Sequence, residues 1–346
     1  MDFNYSCDSF PGWASYAVSL QNSTYFLVTM FGTLTLPSIF FNALILITLA
    51  RIGSLQTPSN LFLCNLAVSD LGVVLISQPV GYAWKLLEFL SPDTQNTCGI
   101  ANVFLITATL FNGVSLLTIT CASIDRYLAL YLHLSYNSTV TCKRVLVVCG
   151  GSWLLMAFIS VITSFGVHAF HIAAAIFITI CLPIMAFCYY KIYKVLKYHH
   201  VKINQSSSAE GRVPNLLRYK RSVIGLFYVL VLMVVSFAPF GCVAAVFEII
   251  GLSESLVLAW NVTACLAYVN CILNPLIYYW KMRDLRSSVN QTVSLICTRR
   301  SLRQIHPIRS AWTVDQMVAT KLLPSETQGD PVNCDFLRTR VLMHTL

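Results

Sequence analysis

The sequence predicts an all-α membrane protein, a bundle of seven transmembrane helices followed by a short amphipathic helix. Three observations carry this. First, the 346 residues are 56% hydrophobic and 11% charged, with mean hydropathy +0.68, which is more apolar surface than a soluble core hides. Second, uncharged runs such as the 31 residues Thr94 to Ile124 exceed the ~20 residues a helix needs to cross a bilayer. Third, the basic residues segregate. All 23 Lys and Arg except Lys85 fall in segments assigned to one side, and Asp2, Asp8, Glu88, Asp93, Glu248 and Glu254 fall on the other. That asymmetry is the positive-inside pattern, and it accounts for the net charge of +9 with no nucleic-acid partner.

Residues 1–24 are polar and aromatic and are expected to lie outside the cell. Their sequons at Asn4 and Asn22 are candidate glycosylation sites there. No basic stretch, apolar run and cleavage site precede the first span, which is expected to act as the insertion signal. That span covers about 25–50, with Pro37 as a kink, and Arg51 closes it. The second covers about 59–82 and carries a single acid, Asp70, near mid-membrane.

The third span is the long uncharged run, closed by Asp125-Arg126-Tyr127. An arginine costs roughly 2.5–3.5 kcal/mol at the bilayer centre, so it is tolerated at a helix end by snorkelling or pairing. Val145 to Tyr190 is 46 residues without a charge. Two spans of ~20 fit there and leave about six residues to join them. The polar cluster Thr163, Ser164, Gly166, His168 and His171 marks that turn, so the fourth span ends near Thr163 and the fifth begins near Ala169. Residues 198–217 read as a flexible loop. The sixth span, about 222–247, contains Pro239, and the seventh, about 255–280, contains Pro275. Met282, Leu285, Val289, Val293 and Ile296 then repeat at helical spacing among basic residues, as in a helix lying on the membrane surface. Cys297 follows and is either palmitoylated or free. Residues 298–346 are polar and basic, the composition of a disordered cytoplasmic tail. The domains are thus 1–24, 25–297 and 298–346.

Most of the thirteen cysteines lie in apolar runs and read as packing residues. No pair has metal-ligand spacing. Cys7 and Cys98 alone are placed in or beside the extracellular space, where a bridge between them or two free thiols are both open.

The polar residues inside spans are Asn42, Asn65, Asp70, Asn112, Ser115, Asn270 and Asn274. Each is either interhelical glue or a functional group. A buried carboxylate must be protonated, paired or ion-bound. No Lys or Arg lies at the depth of Asp70 in another span, whereas Ser115, Asn270 and Asn274 offer oxygens suited to a small hard cation.

Asn42, Asn65-Leu66-Ala67-Val68-Ser69-Asp70, Asp125-Arg126-Tyr127, Trp153, Pro239 and Asn274-Pro275-Leu276-Ile277-Tyr278 together resemble the rhodopsin-like (class A) G-protein-coupled receptors over residues 25–297. The resemblance implies coupling to a heterotrimeric G protein through Asp125, Arg126, Tyr127, Tyr189 and Tyr278. It implies an allosteric sodium ion at Asp70, Ser115, Asn270 and Asn274, and activation switches at Phe237, Pro239 and Pro275. Arrestin is a further expected partner, through the tail. Three departures stand out. The sixth span reads Ser236-Phe237-Ala238-Pro239 where the family has Cys-Trp-x-Pro. Pro183 lies six residues before Tyr189, not eight, where Cys181 stands. Cys98 lies 28 residues before Arg126, not 25, and Ser164 to Phe170 lacks the family's partner cysteine. No acid at the start of the sixth span is placed to lock Arg126, and Glu210 is the one acid in the third intracellular loop.

Within the family, Ala108 stands where amine receptors carry Asp, and Tyr268 where opsins carry the retinal Lys. A biogenic amine and retinal are thereby excluded. The short second extracellular connection is similar to that of the melanocortin, adenosine, cannabinoid and lysophospholipid receptors, though Ala101 to Leu105 lacks the acids of the melanocortin branch. Thr107, Asn112, His171, Phe237, Phe240 and Tyr268 are candidate pocket residues. The ligand expected is a peptide, a lipid or a nucleoside-like small molecule, reaching a multi-pass plasma-membrane receptor from outside. No nucleophile–base pair or phosphate loop points to an enzyme. An ion-coupled transporter using Asp70 and a ligand-independent partner of another receptor are the rival readings.

Overall fold

The computed structural model describes residues 12–17, 19–90, 95–132, 135–205, 213–282 and 285–294. Asn4, Cys7, Glu210, Cys297 and the tail lie outside them. Among the described residues, seven helices are long and apolar enough to span a membrane. They are α1 (Gln21–Arg51), the continuous rod of α2 (Pro58–Gly72) and α3 (Gln78–Leu90), α4 (Gln95–Leu132), α6 (Cys142–Thr163), α7 (Val167–Gln205), α8 (Val213–Ile250) and α9 (Glu254–Lys281). A short helix, α5 (Tyr136–Thr139), bridges α4 and α6. Below, the end of the bundle bearing Trp13 is the upper end and the Arg126 end the lower.

Local chemistry sets the helix starts. Thr57, Thr141 and Ser253 each accept a backbone N–H from three residues ahead, at Asn60, Arg144 and Leu256, which satisfies one orphan donor of the first turn. Pro58 fits the first position of α2, where no N–H is needed. Between α2 and α3 the rod widens into a π turn, Val73–Ser77, a distortion often found at functional sites.

Three lengths differ from the sequence reading. The second span continues to Leu90, so Lys85 and Glu88 belong to its last turns and are buried. The connection between the fourth and fifth spans is shorter than expected. It is the three residues Ser164–Gly166, closed by Gly166 at φ +127°, and His168 and His171 are on α7. The expected 198–217 loop shrinks as well, because α7 runs to Gln205 and α8 starts at Val213. The amphipathic helix is observed over residues 285–294 and is labelled α10. It buries Leu285, Val289 and Thr292, and the Tyr279 hydroxyl donates to Asn290.

Polar ties hold the rods in register. Asn42 on α1 donates to the carbonyl of Cys271 on α9 at 2.7 Å. Asn65 on α2 donates to Thr118 on α4 and accepts from the indole of Trp153 on α6. In a bundle whose outer surface faces lipid, such bonds fix register where the hydrophobic effect does not discriminate.

Three glycines, Gly72, Gly81 and Gly113, allow close approach. A Cβ on Gly72 would overlap the ring of Phe111, and one on Gly113 would overlap the terminal methyl of Met156. The ring also packs on Trp153 at 5.9 Å and has nowhere to go, whereas a methionine end rotates away. Gly72→Ala is therefore expected to destabilise the bundle by roughly 1–3 kcal/mol and Gly113→Ala by less. Thermal unfolding of the purified variants in detergent checks the order.

Candidate functional site

Three polar or aromatic constellations lie along the bundle axis. At the lower end Asp125 is buried. Its Oδ2 accepts from Ser59 Oγ on α2 at 2.7 Å, and its Oδ1 accepts from the Tyr136 hydroxyl on α5, also at 2.7 Å. Arg126 Nε lies 3.6 Å from Oδ2. Burial first, and then the neighbouring Asp125 carboxylate, push the Tyr136 phenol up to about 12, so it stays protonated and donating through the physiological range. Tyr127 does not join this group. It stacks on Tyr131 and meets Phe187 of α7 edge-on. Tyr189 and Tyr278 are both buried and close enough to interact electrostatically, and Tyr189 also packs on Phe227 of α8.

At mid-bundle Asp70 is 1% exposed. Ser115 Oγ donates to its Oδ1 at 3.1 Å and Asn274 Nδ2 to its Oδ2 at 3.0 Å, while Ser69 and Ser115 share a hydrogen bond. Asn274 Oδ1 is buried without a hydrogen-bond partner among the described residues. The structure thus brings together Asp70, Ser115 and Asn274. Asn270 is tied elsewhere, since its Oδ1 accepts from Ser236 on α8. Pro239 and Pro275 are each built into an unbroken helix, α8 and α9.

Above this network lies a cavity with about 690 Å³ of empty space in and beside it. Residues from α4, α6, α7, α8 and α9 form its wall, and among the described residues no liner is charged. Thr109, Asn112, Tyr268 and Trp260 supply its polar side-chain atoms. Thr109 donates to Leu105 and Thr163, Asn112 to the carbonyl of Ala108, and Trp260 to His171. Asn112, Phe237, Phe240 and Tyr268 line the cavity as expected from the sequence.

Two expected liners do not. Thr107 is replaced by Thr109. Two residues turn a helix by about 200°, and the Thr107 hydroxyl folds back on Val103 and Phe104 of its own helix. His171 is fully buried above the cavity. Its Nδ1 lies 3.1 Å from Glu248 Oε1 and its Nε2 accepts from Trp260, so the neutral ring carries its proton on Nδ1. His168 takes the other oxygen of Glu248 at 2.9 Å.

The sequence reading missed the roof. Trp13, in a 3-10 turn (Trp13–Tyr16), packs against Trp84, Phe247 and Trp260 with ring centroids 5.4–6.4 Å apart. Lys85 Nζ sits 4.2 Å from the Trp84 ring, with Trp13 and Trp260 at 5.6 and 5.9 Å. Glu88 closes the cluster with a 2.7 Å ion pair to Lys85. A buried pair of this kind is tolerated when both charges are well partnered, and the tryptophan faces add cation–π attraction. The available signal was the lone basic residue of the upper half, three positions before an acid. Cys98 is disulfide-bonded, and Asn22 is exposed in the first turn of α1.

The family model described as "7 transmembrane receptor (rhodopsin family)" matches residues 41–174 and 166–278. The chain belongs to this family, whose members are receptors that signal through G proteins and are not enzymes. It is 27% identical to the sphingosine 1-phosphate receptor 2 of Rattus norvegicus, over 84% of this chain and 86% of that one. It is 23% identical to the adenosine receptor A3 of Bos taurus over 79% and 90%, respectively. The D(4) dopamine receptor of Homo sapiens is 35% identical over 34% of this chain and 27% of its own.

The lower-end geometry carries a signed expectation. Removing the Tyr136 hydroxyl leaves Asp125 Oδ1 short of a donor, and the carboxylate turns toward Arg126. Tyr136→Phe should lower basal nucleotide exchange on a reporter G protein, with Ser59→Ala acting in the same direction. Each lost hydrogen bond to the charged group is worth about 1.5–3 kcal/mol. Arg126→Ala should abolish agonist-driven exchange while surface expression is retained.

Proposed function

We propose that the chain is a plasma-membrane receptor, amino terminus outside, for an apolar, lipid-like extracellular ligand. The observation that supports this is the uncharged cavity wall, whose few polar groups are largely spent on protein partners. A nucleoside needs several convergent hydrogen-bonding groups, and a cationic peptide needs an acid. Glu248 is held by His168 and His171. A flexible apolar chain asks for neither and gains from every buried methylene. Two relatives match over most of both chains, one named for sphingosine 1-phosphate and one for adenosine, and the uncharged wall favours the lipid of the two.

Signalling in this reading is a population shift. Ligand contacts at Phe237, one turn below Phe240, bear on α8 beside Pro239, and the Ser236–Asn270 bond relays α8 to α9. An outward swing of α8 at its lower end would open the cavity for the G protein beside Arg126, and arrestin would follow through the tail.

The mid-bundle residues fit a sodium ion. Such an ion takes oxygen ligands, and Asp70, Ser115 and the unpartnered Oδ1 of Asn274 supply a carboxylate, a hydroxyl and an amide oxygen. When bound, the ion neutralises the Asp70 charge. Asn270 contributes through Ser236 rather than directly.

A panel of lipids, nucleosides and peptides assayed with a promiscuous G-protein reporter tests the ligand class. Agonism should be confined to lipophilic compounds, and Ala267→Phe, which fills the cavity, should cost at least about tenfold in potency, equivalent to ~1.4 kcal/mol. Responses to nucleosides or peptides alone would overturn the reading. Sodium should lower agonist affinity, the agonist should weaken sodium by the same factor, and Asp70→Asn should remove both effects. Radioligand competition across a sodium series reads this directly.

A further inference from the structure

The closed roof raises the question of how an apolar ligand reaches the cavity. The water-side route is filled by the chain itself. Trp13 is 2% exposed and wedged among Trp84, Phe247 and Trp260, and Trp260 is at once part of this roof and part of the cavity wall. Beside it, Lys85, Glu88, Glu248 and His171 are locked in their own pairs. A ligand arriving from water would have to displace a tryptophan cluster and a desolvated ion pair.

The side of the cavity is different. Its liners from α8 and α9 are buried without exception, as Phe237, Trp260, Ala264 and Tyr268 illustrate. The part-exposed liners gather on one flank: Asn112 and Gly113 on α4, Ile159 on α6, and Ala173, Ala174 and Phe177 on α7. Small residues make this wall thin. Ile159 lies four residues before the upper end of α6, and Ala173 to Phe177 lie six to ten residues after the start of α7. At 1.5 Å per residue that is roughly 6–15 Å below the upper ends of the helices. The depth corresponds to the acyl region of the outer leaflet in a hydrocarbon core of about 30 Å. Around the flank, Phe158, Ile162, Ile172 and Ile176 point outward as exposed apolar side chains.

We propose that the cavity is loaded from the bilayer, through the gap between α6 and α7, by an apolar ligand already dissolved in the outer leaflet, and that the Trp13 turn seals the aqueous mouth. This rests on the lipid-receptor reading for the nature of the ligand, but the route itself is testable without any agonist.

The experiment places a reporter thiol in the cavity with Ala267→Cys, in full-length protein reconstituted in lipid nanodiscs. Labelling rates are compared for a membrane-impermeant charged thiol reagent and an uncharged, lipid-partitioning maleimide, with the parent protein subtracting the native cysteines. The lipid-partitioning reagent should label the reporter about tenfold faster than the impermeant one, as for a roof open less than a tenth of the time. Ala174→Trp or Ile159→Phe, which plug the flank, should slow the lipid-partitioning reagent and leave the impermeant one unchanged. Trp13→Ala should do the reverse, admitting the impermeant reagent. Two flank variants and a melting-temperature match to the parent separate blockage from misfolding. Fast labelling of the intact-roof protein by the impermeant reagent, or indifference of the lipid reagent to both plugs, would overturn the route. Neither result touches the ligand class, which the agonist panel decides separately.

Discussion

A carboxylate out of reach of bulk water sits at the centre of the bundle, and four helices are arranged around its needs. Hydrocarbon cannot solvate Asp70, so protein must. Ser115 on α4 and Asn274 on α9 reach it directly, Ser69 on its own helix completes the hydroxyl chain, and Asn42 anchors α1 to the same stretch of α9. The apolar faces of these helices would pack in several registers with similar energy. The polar set admits one, because a one-residue slip strands a buried charge. Both the upper cavity and the Asp125 cluster are positioned by helices that this network has already fixed.

The two ends solve opposite problems. At the lower end Asp125 is satisfied by neutral donors from α2 and α5, which leaves Arg126 at 3.6 Å instead of in a tight two-pronged pair. A charge held by neutral partners can be handed to another partner without a large desolvation step. At the upper end the charges are paired and roofed by aromatic rings, an arrangement that resists rearrangement. The exchangeable hydrogen bonds are thus concentrated at the Arg126 end, which the proposed function gives to the G protein, and the closed ion pair at the end above the cavity.

The fold was legible because its main signals are one-dimensional. Uncharged run length and charge sidedness count residues, and neither requires knowing which residues meet. The 46-residue run Val145–Tyr190 yielded two helices by length alone. Asp70, Ser115 and Asn274 were legible because a buried acid demands partners at matching depth. What escaped was azimuth and long-range contact. Thr107 and Thr109 differ by about 200° around one helix, and no feature of an all-apolar neighbourhood says which faces inward. The Trp13–Trp84–Trp260 cluster joins residues more than two hundred positions apart, and the burial of the Lys85–Glu88 pair became visible only once the second span was seen to run on to Leu90.

The three-residue connection between α6 and α7 has a consequence for competition. Ser164–Gly166 is too short to cover anything, so the cover comes from the chain before α1, joined to it through residues 17–20. A group on so short a tether faces its site at an effective concentration of about millimolar. A water-borne solute that only equals Trp13 in its fit to the Lys85 cage therefore loses to it at any lower concentration. Selectivity at the aqueous face is set by what the protein already holds there, and a molecule in the lipid phase does not enter that contest.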